Sequence, residues 1–172
     1  MNLYLRLFWI LITAKFRPKA HLLAATKIKG RVLPNDLDIN MHVNNGRYLS
    51  LADLGRVDHL AKTGFLKIMI DRKWKPIIAS VNARFIKGMT LWQEYELTTR
   101  FLCWDEKWGY FEHRFERNGK LVAVVYIKGL FVGPNGRVEI GEAASALGVT
   151  ESSPQMPDEV KDLRDQIDIK QK

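Results

Sequence analysis

The segment "GRYLSLADLGRVDHLAKT", residues 46–63, restricts the fold more than any other. Its apolar residues Tyr48, Leu49, Leu51, Ala52, Leu54, Val57, Leu60 and Ala61 fit a helix but cover more than one of its faces. A helix that is apolar around most of its circumference has to be buried on several sides. Asn44 or Asn45 can cap its start, Asp58 and Lys62 stand four residues apart as an ion pair, and Gly64 offers a stop.

The following sequence supplies the cover. "PIIASVNARFI" (76–86), "WQEYELTTRFLCW" (92–104), "WGYFEHRFER" (108–117) and "KLVAVVYIKGLFV" (120–132) are rich in aromatic and β-branched residues, as strands are. They are joined by turn signals, "DEK" at 105–107 and Asn118-Gly119, the latter suited to a type I′ hairpin. A further strand-like run, "LLAATKIKGRV" (22–32), precedes the helix. Strand, long helix, then four strands is an α+β order, and an antiparallel sheet wide enough to wrap one helix buries these faces economically. "GEAASALG" (141–148) reads as a short closing helix, and the polar stretch from Glu151 as a tail with one short helix over Asp158 to Ile167. The chain thus divides into a basic apolar segment (1–20), one domain (21–148) and a polar tail (149–172).

Charge narrows the partners. The net charge is +8, yet Arg6, Lys15, Arg17, Lys19, Lys27, Lys29 and Arg31 supply +7 of it before the first acidic residue, Asp36. The remainder is nearly balanced, and no nucleic-acid partner is expected. The run "LYLRLFWILIT" (3–13) is too short to span a bilayer, which takes about 20 residues. It reads either as a helix or strand docked on the domain, or as an interfacial anchor. In the anchor reading Tyr4, Phe8 and Trp9 enter the headgroup region, while Lys15, Arg17 and Lys19 meet anionic lipid. The single cysteine, Cys103, excludes an intramolecular disulfide and a cysteine-rich zinc site, and fits a reducing, cytoplasmic setting.

The chemistry concentrates in "DLDINMHVNNGRYL", residues 36–49. Asp38, Asn40 and His42 alternate, so in an extended segment their side chains share one side. The helix that begins near Asn45 turns its unpaired N–H groups, those of Asn45 and Gly46, toward the same place. A carboxylate, an amide and an imidazole facing free N–H donors suit acyl transfer. Asp38 would attack a thioester carbonyl or activate water, Asn40 and His42 would position and polarise, and the helix amides would hold the oxyanion. The acyl chain would run near Tyr48, and neither metal nor cofactor is required. A purely structural account is also available: Asp36, Asp38 and Asn40 build a tight loop, and Asn44 and Asn45 cap the helix. His21, His59 and His113 show no metal-ligand spacing, and Ser50 and Ser80 lack a nucleophile elbow. Lys87, or Arg72, Lys73 and Lys75, could meet coenzyme A phosphates.

The same residues carry a family resemblance. "DLDINMHVNNGRYL" resembles the catalytic segment of the plant acyl-ACP thioesterases, D-x-N-x-H-V-N-N followed by a helix, and more broadly the 4-hydroxybenzoyl-CoA thioesterase group of hotdog-fold proteins. The resemblance implies a hotdog fold over roughly residues 22–135, Asp38, Asn40 and His42 as catalytic residues, and the amide near Asn45 as oxyanion donor. It implies hydrolysis of an acyl-CoA or acyl-ACP thioester. The plant enzymes hold two hotdog repeats in one chain, whereas this chain has length for one, so a homodimer is expected. Hydratases of this fold resemble D-x-N-P-x-H, whose histidine is one position later than in "DINMH" and which carries a proline absent here. The remaining alternative is a non-catalytic acyl-thioester or lipid-binding module at a membrane surface.

Overall fold

The computed structural model describes residues 2–14 and 16–165. The elements are α1 (Asn2–Ala14), β1 (Thr26–Arg31), α2 (Asn45–Lys62), α3 (Phe65–Asp71), β2 (Lys75–Phe85), β3 (Glu94–Trp104), β4 (Gly109–Arg117), β5 (Lys120–Gly133), β6 (Gly136–Val138), α4 (Ile140–Ala146) and α5 (Asp158–Asp165). The strands form one antiparallel sheet in the order β1-β3-β4-β5-β2, with β6 paired to the end of β5. At the β4–β5 hairpin Asn118 and Gly119 have φ of 50° and 70°, the pair of positive values that a type I′ turn needs.

The long helix is the centre, as its composition demands. Tyr48, Leu51, Ala52, Leu54, Asp58, His59 and Leu60 are buried along α2, which packs on β1, β3 and β5. Gly55 permits the approach: a Cβ there would lie 2.5 Å from Thr99 Oγ1 on β3. Alternation along β5 feeds both faces of the sheet. Val125 and Ile127 join the core under α2, while Val124 and Tyr126 face outward with Cys103 and Tyr110. The outward cluster is closed by Val160 and Leu163 of α5, both fully buried. Part of the polar tail therefore packs on the domain; the expected end of its helix at Ile167 lies outside the described residues.

The N-terminal run is a helix that docks. Ile10 is in the core, Leu3 and Leu7 pack against it, and α1 lies on α2. Two ion pairs to fully buried carboxylates fasten it. Arg6 Nη2 is 2.7 Å from Asp36 Oδ2, and Arg17 Nη1, just past α1, is 3.0 Å from Asp58 Oδ1. The expected Asp58–Lys62 pair is also present at 2.6 Å. Gly64 ends α2 at φ 82° but also opens α3, whose Phe65 and Met69 are buried. Sequence patterning passes over α3 because its seven residues show too little periodicity to separate it from a loop.

Candidate active site

Residues 36–44 form a compact turn, not the extended segment that alternation suggests. Asp38 N–H donates to His42 O at 2.8 Å and Met41 N–H to Asp38 O at 3.1 Å, while Leu37 and Val43 pair across the turn. The Asp38 carboxylate causes this closure: its Oδ1 accepts the amides of Asn40 (2.8 Å) and His42 (3.3 Å). This is an Asx turn, and it outcompetes the extended backbone because it satisfies two amides locally. Its cost is Met41 at φ 58°, a left-handed conformation for a residue with a Cβ.

The base of the turn is anchored by Asp36. Its fully buried carboxylate receives Arg47 Nε (2.8 Å), Arg6 Nη2 (2.7 Å) and the Leu33 amide (2.9 Å), while its carbonyl accepts Asn44 N–H at 2.9 Å. Burial alone would raise the Asp36 pKa, but the bonds from Arg47, the Leu33 amide and Arg6 outweigh it and hold the carboxyl below its ordinary range. Asp36 is therefore a structural charge, and its neighbour two residues on is left for the cleft.

That cleft, about 360 Å³, is lined by Asp38, Asn40, His42, Val43, Asn45, Tyr48 and the 85–88 stretch at the end of β2. Five of the six residues singled out in the sequence thus meet in one place. Gly46 does not: its amide donates to the N-cap oxygen Asn44 Oδ1 at 2.9 Å, so it is consumed by the cap. The Asn45 amide, first of the helix, is the donor left at this end. Asp38 is half-buried and Asn40 and His42 are exposed, so water reaches all three. Tyr48 is buried, its ring against Phe85 and Phe115; burial raises its pKa, and a backbone hydrogen bond at Met89 opposes that.

His42 is oriented. Its Nδ1 lies 2.7 Å from Asn40 O. A carbonyl only accepts, so in the neutral ring Nδ1 carries the proton and Nε2 presents a lone pair. Asn40 therefore acts on His42 through its backbone, a role that side-chain reasoning cannot find. Asp38 Oδ2 takes neither turn bond. A carboxylate oxygen, an imidazole acceptor and a helix-opening amide together can activate a nucleophile and receive developing negative charge. Phe85, Ile86 and Gly88 are further lining residues that lie outside the motif and carry no local signal; they arrive by tertiary folding.

The family model described as Thioesterase-like superfamily matches residues 32–163, which takes in the turn, α2 and the whole sheet beyond β1. The chain belongs to that superfamily. Among its relatives, Protein THEM6 of Xenopus laevis is 36% identical over 107 residues, 62% of this chain and 52% of the relative. The Probable thioesterase YBR096W of Saccharomyces cerevisiae is 36% identical over 84 residues, 48% of this chain and 36% of the relative. The chain thus spans about half the length of the frog relative and about a third of the yeast one. Among solved structures, YbaW, a probable thioesterase from Escherichia coli, superposes with a TM-score of 0.65 at 21% identity, covering 70% of this chain and 95% of the other. The architecture is the hotdog fold, a curled antiparallel sheet around the central helix α2.

Proposed function

We propose that this superfamily member hydrolyses fatty acyl thioesters of coenzyme A or acyl carrier protein. The observation that carries the reading is the convergence of Asp38, His42 and Asn45 on one open cleft. Asp38 Oδ2 either attacks the thioester carbonyl or takes a proton from the attacking water. Asn40 and His42 hold the reacting groups, and the Asn45 amide stabilises the oxyanion as the tetrahedral intermediate forms. Its collapse expels the thiolate, which leaves as the free thiol once protonated. On the base route this releases the acid directly; on the nucleophilic route it leaves an acyl-Asp38 anhydride that a water then cleaves to the acid and free Asp38. No metal or cofactor takes part.

Lys87 at the cleft rim suits the phosphates of the carrier, and the apolar rim suits an acyl chain. Ile39 is 97% exposed at the tip of the turn, and Phe85 and Ile86 are exposed along the cleft. We assign a second copy of the chain to β2, the last strand in the sheet order, where Ile77, Ile78 and Val81 are exposed. A homodimer built there would bring partner surface beside Phe85–Gly88. The outer stripe of α1 (Tyr4, Leu5, Phe8, Trp9, Ile12) supports peripheral contact with a membrane on the cytoplasmic side. No described helix is long and apolar enough to cross one.

The test is coenzyme A release from a series of acyl-CoAs by wild type and Asp38→Asn. Asn keeps the Oδ1 acceptor of the turn, so we expect the fold to survive and turnover to fall by about a hundredfold or more. Equal rates would remove Asp38 from the chemistry. Saturable binding of acyl-CoA with no release by wild type would make the protein a binding module instead.

A further inference from the structure

Gly88 lies 46 residues from His42 in the chain, yet the imidazole rests on it. A Cβ built on Gly88 would stand 2.5 Å from His42 Cδ2, 3.2 Å from Cγ and 3.4 Å from Nε2. The first of these is closer than side-chain carbons approach one another, so the ring fits only because Gly88 has no side chain. Backbone conformation is not the reason for glycine here, since Gly88 is absent from the positive-φ positions. The two loops are also joined on either side of this contact: His42 bridges Thr90, and Val43 N–H donates to Met89 O at 2.8 Å. The ring is thus held on one edge by Asn40 O through Nδ1 and supported along the other by the bare Cα of Gly88.

We propose that Gly88 is a positioning residue for catalysis, acting through His42 by fixing where Nε2 stands in the cleft. The inference rests on the reading of His42 as a member of the active site. A methyl group at 88 would push the imidazole off its seat, breaking the Nδ1–Asn40 bond and releasing the tautomer, while leaving β2 and the turn in place. A side chain reoriented by about an ångström costs an enzyme on the order of a hundredfold in rate.

The experiment is a double-mutant cycle with Gly88→Ala, His42→Ala and the pair, assayed with lauroyl-CoA, alongside ¹⁵N spectra of the His42 ring. Gly141→Ala is the control, since a Cβ there meets nothing within 4 Å. Gly88→Ala should lower kcat at least tenfold with KM little changed, and the ring nitrogens should lose the signature of a single tautomer. In the His42→Ala background the same substitution should do nothing further. Wild-type turnover by Gly88→Ala beside a crippled His42→Ala overturns the role of Gly88 alone. Additive losses in the pair also overturn it, because they would mean a structural effect independent of the ring. Wild-type turnover by His42→Ala removes His42 from the reaction, and this inference with it.

Discussion

Asp36 and Asp38 are two residues apart, and their surroundings give them opposite work. Asp36 is buried against Arg47 and Arg6, whereas Asp38 spends one oxygen on its own turn and offers the other to the cleft. Replacing Asp36 by Asn removes the partner of two partly buried guanidinium groups, so we expect a loss of about 3 kcal/mol in urea unfolding. Turnover should fall as well, because the turn and the helix start both hang from that carboxylate. Asp38→Asn should show the reverse pattern, with unfolding close to wild type and activity gone. Measuring both quantities on both variants separates an anchor from a reactant in a way that activity alone does not.

At the level of elements, the notable case is α1. Its inner side joins the core through Ile10 and the Arg6–Asp36 pair, while Tyr4, Leu5, Phe8 and Trp9 stay at least 63% exposed. A thirteen-residue helix spans about 20 Å, short of the roughly 30 Å hydrocarbon core, so its outer stripe can lie on a bilayer but not cross it. Because Arg6 also holds the 36–44 turn through Asp36, removing the segment would confound binding with folding. The sound test is Phe8→Ser with Trp9→Ser, which touches only the outer face. Flotation with anionic vesicles should drop severalfold for this variant while the melting temperature holds; unchanged flotation would count against the anchor.

At the scale of the whole molecule, assembly and pH response are the properties to measure. Val81→Glu places a charge on the edge strand β2; light scattering should report a dimer for wild type and a monomer for this variant, with reduced turnover. The pH response follows from two histidines in the core, His59 against Thr26 Oγ1 and His113 against Thr99 Oγ1. Burial pushes His59 down from 6.5 to about 4, and also pushes His113 well below the ordinary histidine range. Between these pH values the unfolded chain takes up a proton that folded His59 refuses. Stability should therefore fall as pH drops from 6.5 toward 4, by on the order of 3 kcal/mol from His59, and be insensitive to this group above 6.5. Urea unfolding at pH 7.5 and pH 5 checks the sign; equal midpoints would contradict it.

Much of this was legible from the chain alone, for a definite reason. Helix and strand periodicity, the Asn-Gly turn and the helix cap are local, and α2 and the four strands after it are found close to where local chemistry puts them. The density of polar residues at 36–45 likewise points to the cleft, because turn, cap and reactive groups share a short segment. Pattern fails where energy comes from elsewhere. Alternation suggested an extended Asp38–His42 strip, but the carboxylate's own hydrogen bonds curled it, and the N-cap took the Gly46 amide. Nor does any local signal mark Arg6 as the partner of Asp36, or Gly88 as the seat of His42, since each pairing spans 30 or more positions. The sequence by itself determined the elements and the polar segment that folds into the cleft, through interactions between near neighbours. Only the tertiary structure decided which aspartate is locked away and which is free, because burial and ion pairing depend on what the rest of the chain brings alongside.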